Sequence, residues 1–197
     1  MKKISTIFVF VLLLGTTGFA QFRQGTWLVG GSASAGINAN QSKNGSTVTT
    51  TGHTSFISMT PNAGYFIFDN FAVGAGINMY AAHGTNTGSD FKYDDHSASI
   101  APFVRYYYHN FYGVGSFRIG GGKIAYSGGT PSPDDQNYTI TGGAIGIGYA
   151  WLLTKNVALE PQAGYQFSST KYSSTNHSIT QGPYLSLGFQ IYLEPRD

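Results

Sequence analysis

Three charged side chains fall inside segments that otherwise carry almost no charge: Arg105, Arg118 and Glu160. A carboxylate facing guanidinium groups can accept fork-shaped, charge-assisted hydrogen bonds. Left alone in a narrow, poorly hydrated space, each of these charges would be costly. Gln162, Gln166, Tyr107 and Tyr184 could complete a network with them. A second constellation is His177-Ser178, with His53, His83 and His96 on other segments. A serine nucleophile needs an adjacent base, and the base needs a third group to orient it. Neighbours on an extended chain point to opposite faces, and spacing places no acid beside this pair. Polar loop histidines are therefore the better reading. A third set is acidic: Asp90, Asp94 and Asp95, with Asp134 and Asp135. Hard cations want several oxygen ligands, but these residues lack the spacing of a calcium loop, so solvated loops fit them better. The glycine stretches GGGK (120–123) and GGAIGIG (142–148) neither match the Walker pattern nor lead into a helix.

The elements that must position these groups all follow one pattern. Residues 62–80 read NAGYFIFDNFAVGAGINMY, with apolar side chains at every second position and small or amide residues between. Such alternation is the signature of a strand. It recurs at about 25–38, 55–68, 71–82, 97–108, 111–124, 138–152, 157–170 and 178–193. The connections alternate in length. Asp69-Asn70, His109-Asn110 and Thr154-Lys155-Asn156 are tight hairpin turns. The segments 39–54, 83–96, 125–137 and 171–177 read as long polar loops. Eight strands with three short turns on one side and four long loops on the other place both ends of the domain on the short-turn side. The expected fold is all-β: an eight-stranded antiparallel up-and-down transmembrane β-barrel. Pro61, Pro102, Pro161 and Pro183 fall inside the strands, where bulge or pre-strand positions would accommodate them.

Composition narrows the class. Charged residues are only 10% of the 197, against about 25% in ordinary soluble domains. Cysteine is absent, which excludes disulfides, thiolate metal sites and cysteine nucleophiles. The start, MKKISTIFVFVLLLGTTGFAQ, has a positive head, a short apolar run and then small residues. The run is far shorter than the ~20 residues of a spanning helix. Residues 1–20 therefore read as a secretory signal peptide cleaved after Ala20, leaving 21–197 as one barrel domain. Without Lys2 and Lys3 the basic side chains number 9 (11 less 2) against 9 acidic ones, so no basic field argues for nucleic acid. No cofactor or metal is implied.

Sorting the strands by parity gives two faces. One carries Trp27, Val29, Ile57, Met59, Ile100, Val104, Ile145, Ile147, Leu185, Leu187 and Phe189; the other carries Ser32, Ser58, Thr60, Asn62, Ser99, Arg105, Ser116, Arg118, Glu160, Gln162, Gln166, Ser186 and Gln190. A soluble surface usually carries ~25–35% charged residues, which the second face lacks. The inverted arrangement fits: apolar side chains toward lipid, the polar set toward the lumen. Closure then pairs the backbone groups that hydrocarbon would leave unsatisfied. Trp27, Phe68, Phe71, Tyr108, Phe111, Trp151 and Tyr192 lie near the short turns, where an aromatic girdle belongs. Tyr80, Phe91, Tyr126, Tyr138, Phe167 and Tyr172 would form a second girdle near the loops.

The signal peptide ending GFAQ, the hairpin PNAGYFIFDNFAVGAGI, and the stretches APFVRYYY, ALEPQAGYQF and LSLGFQIYL carry a resemblance. The chain resembles the small outer-membrane β-barrel family, OmpA-, OmpX- and OmpW-like, and the outer-membrane barrel domains common in Bacteroidetes. The resemblance implies the bacterial outer membrane, a monomer, contact with outer-membrane lipids and lipopolysaccharide, and insertion by the barrel assembly machinery. It implies a structural or surface-interaction role without catalysis. The interior, closed by Arg105, Arg118, Glu160, Gln162 and Gln166, is then a plug. Two rivals follow from other members: a narrow porin-like conduit for small or hydrophobic solutes, and a lipid A-modifying enzyme built on His with Ser.

Overall fold

Alternation becomes strand wherever it occurs. The computed structural model describes residues 22–44, 47–88, 90–128, 134–172 and 176–195. The signal peptide and its cleavage after Ala20 lie outside the described residues. The strand segments are β1 (Trp27–Asn44), β2 (Thr47–Phe68), β3 (Phe71–Asn86), β4 (Lys92–Tyr108), β5 (Phe111–Ser127), β6 (Gln136–Tyr149), β7 (Trp151–Leu152), β8 (Val157–Lys171) and β9 (His177–Leu193). β7 continues β6 along the same edge of β8 after an interruption opposite Glu160 and Pro161, which has no N–H to offer, while on the other edge the Ala150 amide donates to the Asn110 carbonyl at 2.7 Å. Each strand pairs antiparallel with the next, β6 and β7 pair with β8, and β9 returns to β1. The product is a closed, up-and-down barrel of eight strands.

The strands are longer than the sequence reading gave, and the polar loops correspondingly shorter. The β1–β2 ladder runs out to Asn44 opposite Thr47, and the β3–β4 and β4–β5 ladders both reach Lys92. Polarity does not end a strand: Thr, Ser and Tyr suit an extended chain that water covers. Only the local turn clusters of Gly, Asn, Pro and Ser end one.

Exposed apolar side chains on the outer face define a belt. On β2 it reaches from Phe68 to Ile57. At ~3.3 Å per residue and a tilt of ~40°, that is roughly 28 Å of height, close to the ~25 Å apolar band of membrane barrels. Beyond Ile57 the strand continues to Thr47, so the outer hairpins stand clear of the belt.

The four prolines occupy neither bulges nor strand starts. Each keeps its register pairing with one neighbour, while the ladder on the other side is interrupted. Pro61 pairs with Gly31 and Pro102 with Ala75; pairing lapses toward β3 and toward β5 respectively. Pro161 pairs with Leu187 and Pro183 with Tyr165. The missing N–H thus costs a local lapse, without any slip of register.

The largest lapse is the β1–β9 seam. Pairing covers only Trp27–Gly31 against Phe189–Leu193. Gly31 has φ +153°, where a Cβ would strike the Thr60 carbonyl oxygen at 2.4 Å, and there the two edges part. On the β9 side Gly182 and Gly188 flank Pro183, which has no N–H to offer a ladder. Ser34, Asn38 and Ser186 face inward by parity yet are exposed, whereas Ser99 and Ser168, each paired with a neighbour on both sides, are buried.

The inner wall is lined by rings lying over glycines. A Cβ on Gly148 would come 2.3 Å from the Tyr112 ring, on Gly122 2.4 Å from Tyr138, and on Gly74 2.4 Å from Phe103. The GGGK and GGAIGIG stretches therefore serve packing: glycine leaves a shelf on which an aromatic ring lies flat.

Candidate functional site in the barrel lumen

The short-turn end of the lumen is floored by aromatic rings. Phe22, which precedes β1, is held by the Asn70 amide donating to its carbonyl at 2.6 Å. Its ring stacks on Tyr107 at 4.3 Å and meets the Tyr192 ring edge-on at 5.4 Å. Leu28, Phe66, Ala72, Tyr112, Ala150 and Ala158 complete the cluster. Turn chemistry laces this end together. The carbonyls of Asn70, Asn110 and Asn156 accept from the amides of Tyr107, Ala150 and Tyr192 at 2.7–2.8 Å, so each tight turn is tied to a neighbouring strand.

On this floor sits a buried ion pair. Arg105 on β4 and Glu160 on β8 face each other across the lumen, 7% and 2% exposed. Arg105 Nη1 donates to Glu160 Oε2 at 2.8 Å and to the Tyr107 hydroxyl at 3.3 Å. The Tyr192 hydroxyl donates to Glu160 Oε1 at 2.5 Å. The Tyr112 hydroxyl lies 3.2 Å from both Glu160 Oε2 and Gln162 Oε1. Gln162 donates onward to Tyr184. The guanidinium also lies over the rings of Phe103 and Tyr112, at 5.1 and 4.8 Å. Among the pair's buried atoms only the Arg105 Nε lacks a hydrogen-bond partner; the other contacts are what permit two charges to be buried.

Arg105, Glu160 and Gln162, with Tyr107 and Tyr184, thus come together. Arg118 and Gln166 do not join them. Register places Arg118 level with Ala101, while Arg105 is level with Val114. That is four residues further out, or ~13 Å at ~3.3 Å per residue. Both Arg118 and Gln166 line the cavity of about 260 Å³ that lies above the pair.

The girdle divides by parity. Trp27, Phe68, Tyr108 and Phe111 are exposed on the outer face, and Phe71 and Trp151 partly so. Tyr192 is not a girdle residue: it is fully buried and serves Glu160 from inside. It stands opposite Leu28, and both alternate with outward neighbours. Strand parity with Phe189 and Ile191 already carried that signal. Tyr138 is likewise buried in the lumen, donating to Asp95 at 2.5 Å. Phe22 carried no periodic signal, since it stands outside the strands.

The histidine and aspartate sets do not converge. His177 is in register with Lys171 and Ser178 with Thr170, both exposed near the outer rim. His83 meets Asp94 across β3–β4 at 2.7 Å, exposed. Among the described residues no three His, Asp or Glu side chains gather as a metal site would require. Asp135 pins the β5–β6 hairpin. Lys123 Nζ reaches its Oδ2 at 2.7 Å, and the Tyr126 amide donates to its Oδ1 at 3.2 Å. The Lys123 contact first, and the amide second, hold this carboxyl below its ordinary value of 3.8. A lowered folded value means the contact is complete above that ordinary value and lost as pH falls through the folded one. Protection of the Tyr126 amide against hydrogen exchange should fall over that acidic interval. Asp135→Asn should remove the pH dependence; an unchanged profile would show that the carboxylate does not hold the turn.

No family model matches the sequence, and neither does any curated protein. Among solved structures, the chain is similar to the translocator domain of autotransporter NalP from Neisseria meningitidis, at 15% identity and a TM-score of 0.45, covering 94% of this chain and 67% of that one. It is also similar to Neisserial surface protein A, at 16% identity and a TM-score of 0.45, covering 85% of this chain and 97% of that one.

Proposed function

We propose that this chain is a monomeric, non-catalytic barrel of the bacterial outer membrane. Its lumen is closed at the short-turn end and its outer hairpins carry the interactions. Membrane residence is supported by the exterior. A belt of exposed Ile, Leu, Val and aromatic side chains about as tall as a bilayer core has hydrocarbon as its natural solvent. The short turns and the floor then face the periplasm, and the longer hairpins face outward. Lipids and lipopolysaccharide surround the belt, and the barrel assembly machinery inserts it. The outer hairpins present exposed pairs, His83–Asp94 and Lys123–Asp135, to a partner in water.

The observation that carries the closed lumen is the Arg105–Glu160 pair seated on the aromatic floor. Eight strands enclose an interior just wide enough for side chains to fill, and the pair with its aromatic floor supports such a filling at the short-turn end. The test is conductance of the refolded protein in a planar bilayer, once a heat-dependent gel shift has established folding. Silence across the voltage range is the expected result. Steady small channels would overturn the plug and favour a conduit for small solutes.

A further inference from the structure

We propose that the lumen holds a single oxyanion, a carboxylate or phosphate group, on Arg118. The charge below it is matched, and the one above it is a carboxylate held by a hydroxyl. Arg105 is neutralised by Glu160 below. Asp95, six residues further out than Ala101, the residue level with Arg118, accepts the Tyr138 hydroxyl on the wall of the outer cavity, too far out to pair with the guanidinium. Arg118 itself forms no ion pair or hydrogen bond with a described residue, although it is only partly exposed. A guanidinium in that position lacks part of its hydration and has nothing in exchange. Its planar fork of donors matches the oxygens of a carboxylate or phosphate in a two-point contact.

The surroundings have room for the guest and donors to share it. Arg118 lines the cavity of about 260 Å³ together with Asn78, Ser116, Gln166 and Tyr184, all able to donate a hydrogen bond. Gly142, opposite it on β6, leaves the space over which its Nε lies, 3.4 Å from where a Cβ would stand. Arg118, Asn78 and Gln166 also line a second cavity of about 510 Å³ toward the outer rim, so the site opens outward and is blind toward the floor. A second approach exists. The inner cavity is bounded by Gly31 and Ser32 of β1 and by Ser186 and Gly188 of β9, the edges of the unpaired seam. The same chemistry could thus arrive as a free anion from outside or as the headgroup of an anionic lipid from the membrane.

The experiment follows the Arg118 Nε–H resonance of ¹⁵N-arginine-labelled protein in nanodiscs, assigned with Arg118→Gln. Inorganic phosphate is titrated at constant ionic strength into zwitterionic discs, with chloride as the control. A parallel sample uses discs containing phosphatidylglycerol without phosphate. A saturable shift with phosphate but not chloride assigns a free anion. A shift only in the anionic discs assigns a lipid headgroup. No shift in either arm overturns the proposal. Thermal unfolding gives an independent reading, since Arg118→Gln removes no internal partner and should show the same heat-dependent gel shift. The ligand-induced rise in midpoint should vanish in Arg118→Gln and persist, reduced, in Arg118→Lys. An equal rise in all three proteins would also overturn it.

Discussion

Glu160→Ala should destabilise the barrel by about 3–5 kcal/mol, the usual cost of breaking a buried ion pair by removing one partner. The carboxylate accepts from Arg105, Tyr192 and Tyr112 at once. Its removal leaves a buried guanidinium without its counter-charge and the Tyr192 hydroxyl without its carboxylate acceptor, each penalised separately, while Tyr112 keeps Gln162. An outer-hairpin substitution such as Asp94→Ala breaks an exposed pair, worth only ~0–1 kcal/mol. The two variants should therefore separate clearly in urea-induced unfolding from detergent. Glu160→Gln keeps the shape and one acceptor oxygen and should fall between them. A double Arg105→Met, Glu160→Leu variant should recover most of the loss, because an apolar filling of similar volume needs no partner. If Glu160→Ala and Asp94→Ala unfolded alike, the pair would not be what holds the interior together.

The barrel was legible because period-two alternation fixes both the strand and its faces. Ile57, Met59, Leu185 and Leu187 faced outward where parity put them, and Arg105 and Glu160 inward. What parity could not supply was height. Arg105, Arg118 and Glu160 share the inner face, but only the stagger between strands decides which of them are level, and stagger is a property of closure. Arg118 consequently stands apart from the pair it was expected to join. Turn proximity misled in the case of Tyr192, where a rule about position along the strand was set above the rule about its face. The seam was illegible for a different reason. Gly31 and Pro183 lie far apart in sequence, and each looks tolerable alone; on facing edges, six register positions apart, they fall within one stretch where the ladder is undone. Phe22 belongs to no periodic segment, so its place in the floor follows from its backbone tie to Asn70 and from the hole the rings leave for it.

Tyr107→Ala should both weaken the barrel and make it leak, and the two effects test different parts of the argument. Tyr107 is the middle of the floor: stacked on Phe22, 5.4 Å from the Phe66 ring and 5.1 Å from the Tyr112 ring, with its hydroxyl near Arg105 and Tyr192. Truncating a buried aromatic to Ala costs about 3–5 kcal/mol, through lost burial and the cavity left behind. In a soluble core that cavity would stay sealed. Here it would open toward the lumen cavity on one side and the solvent at the short-turn end on the other, so water could fill it. The variant should show small unitary conductance in a planar bilayer where the native protein is silent. Tyr107→Phe keeps the stacked ring and loses only hydroxyl contacts, at roughly 1 kcal/mol, and should remain silent. A folded Tyr107→Ala protein as silent as the native one would show that the floor supports the barrel without gating it. The barrier to ions would then lie higher, at the level of Arg118, where an unmatched positive charge already opposes the passage of cations.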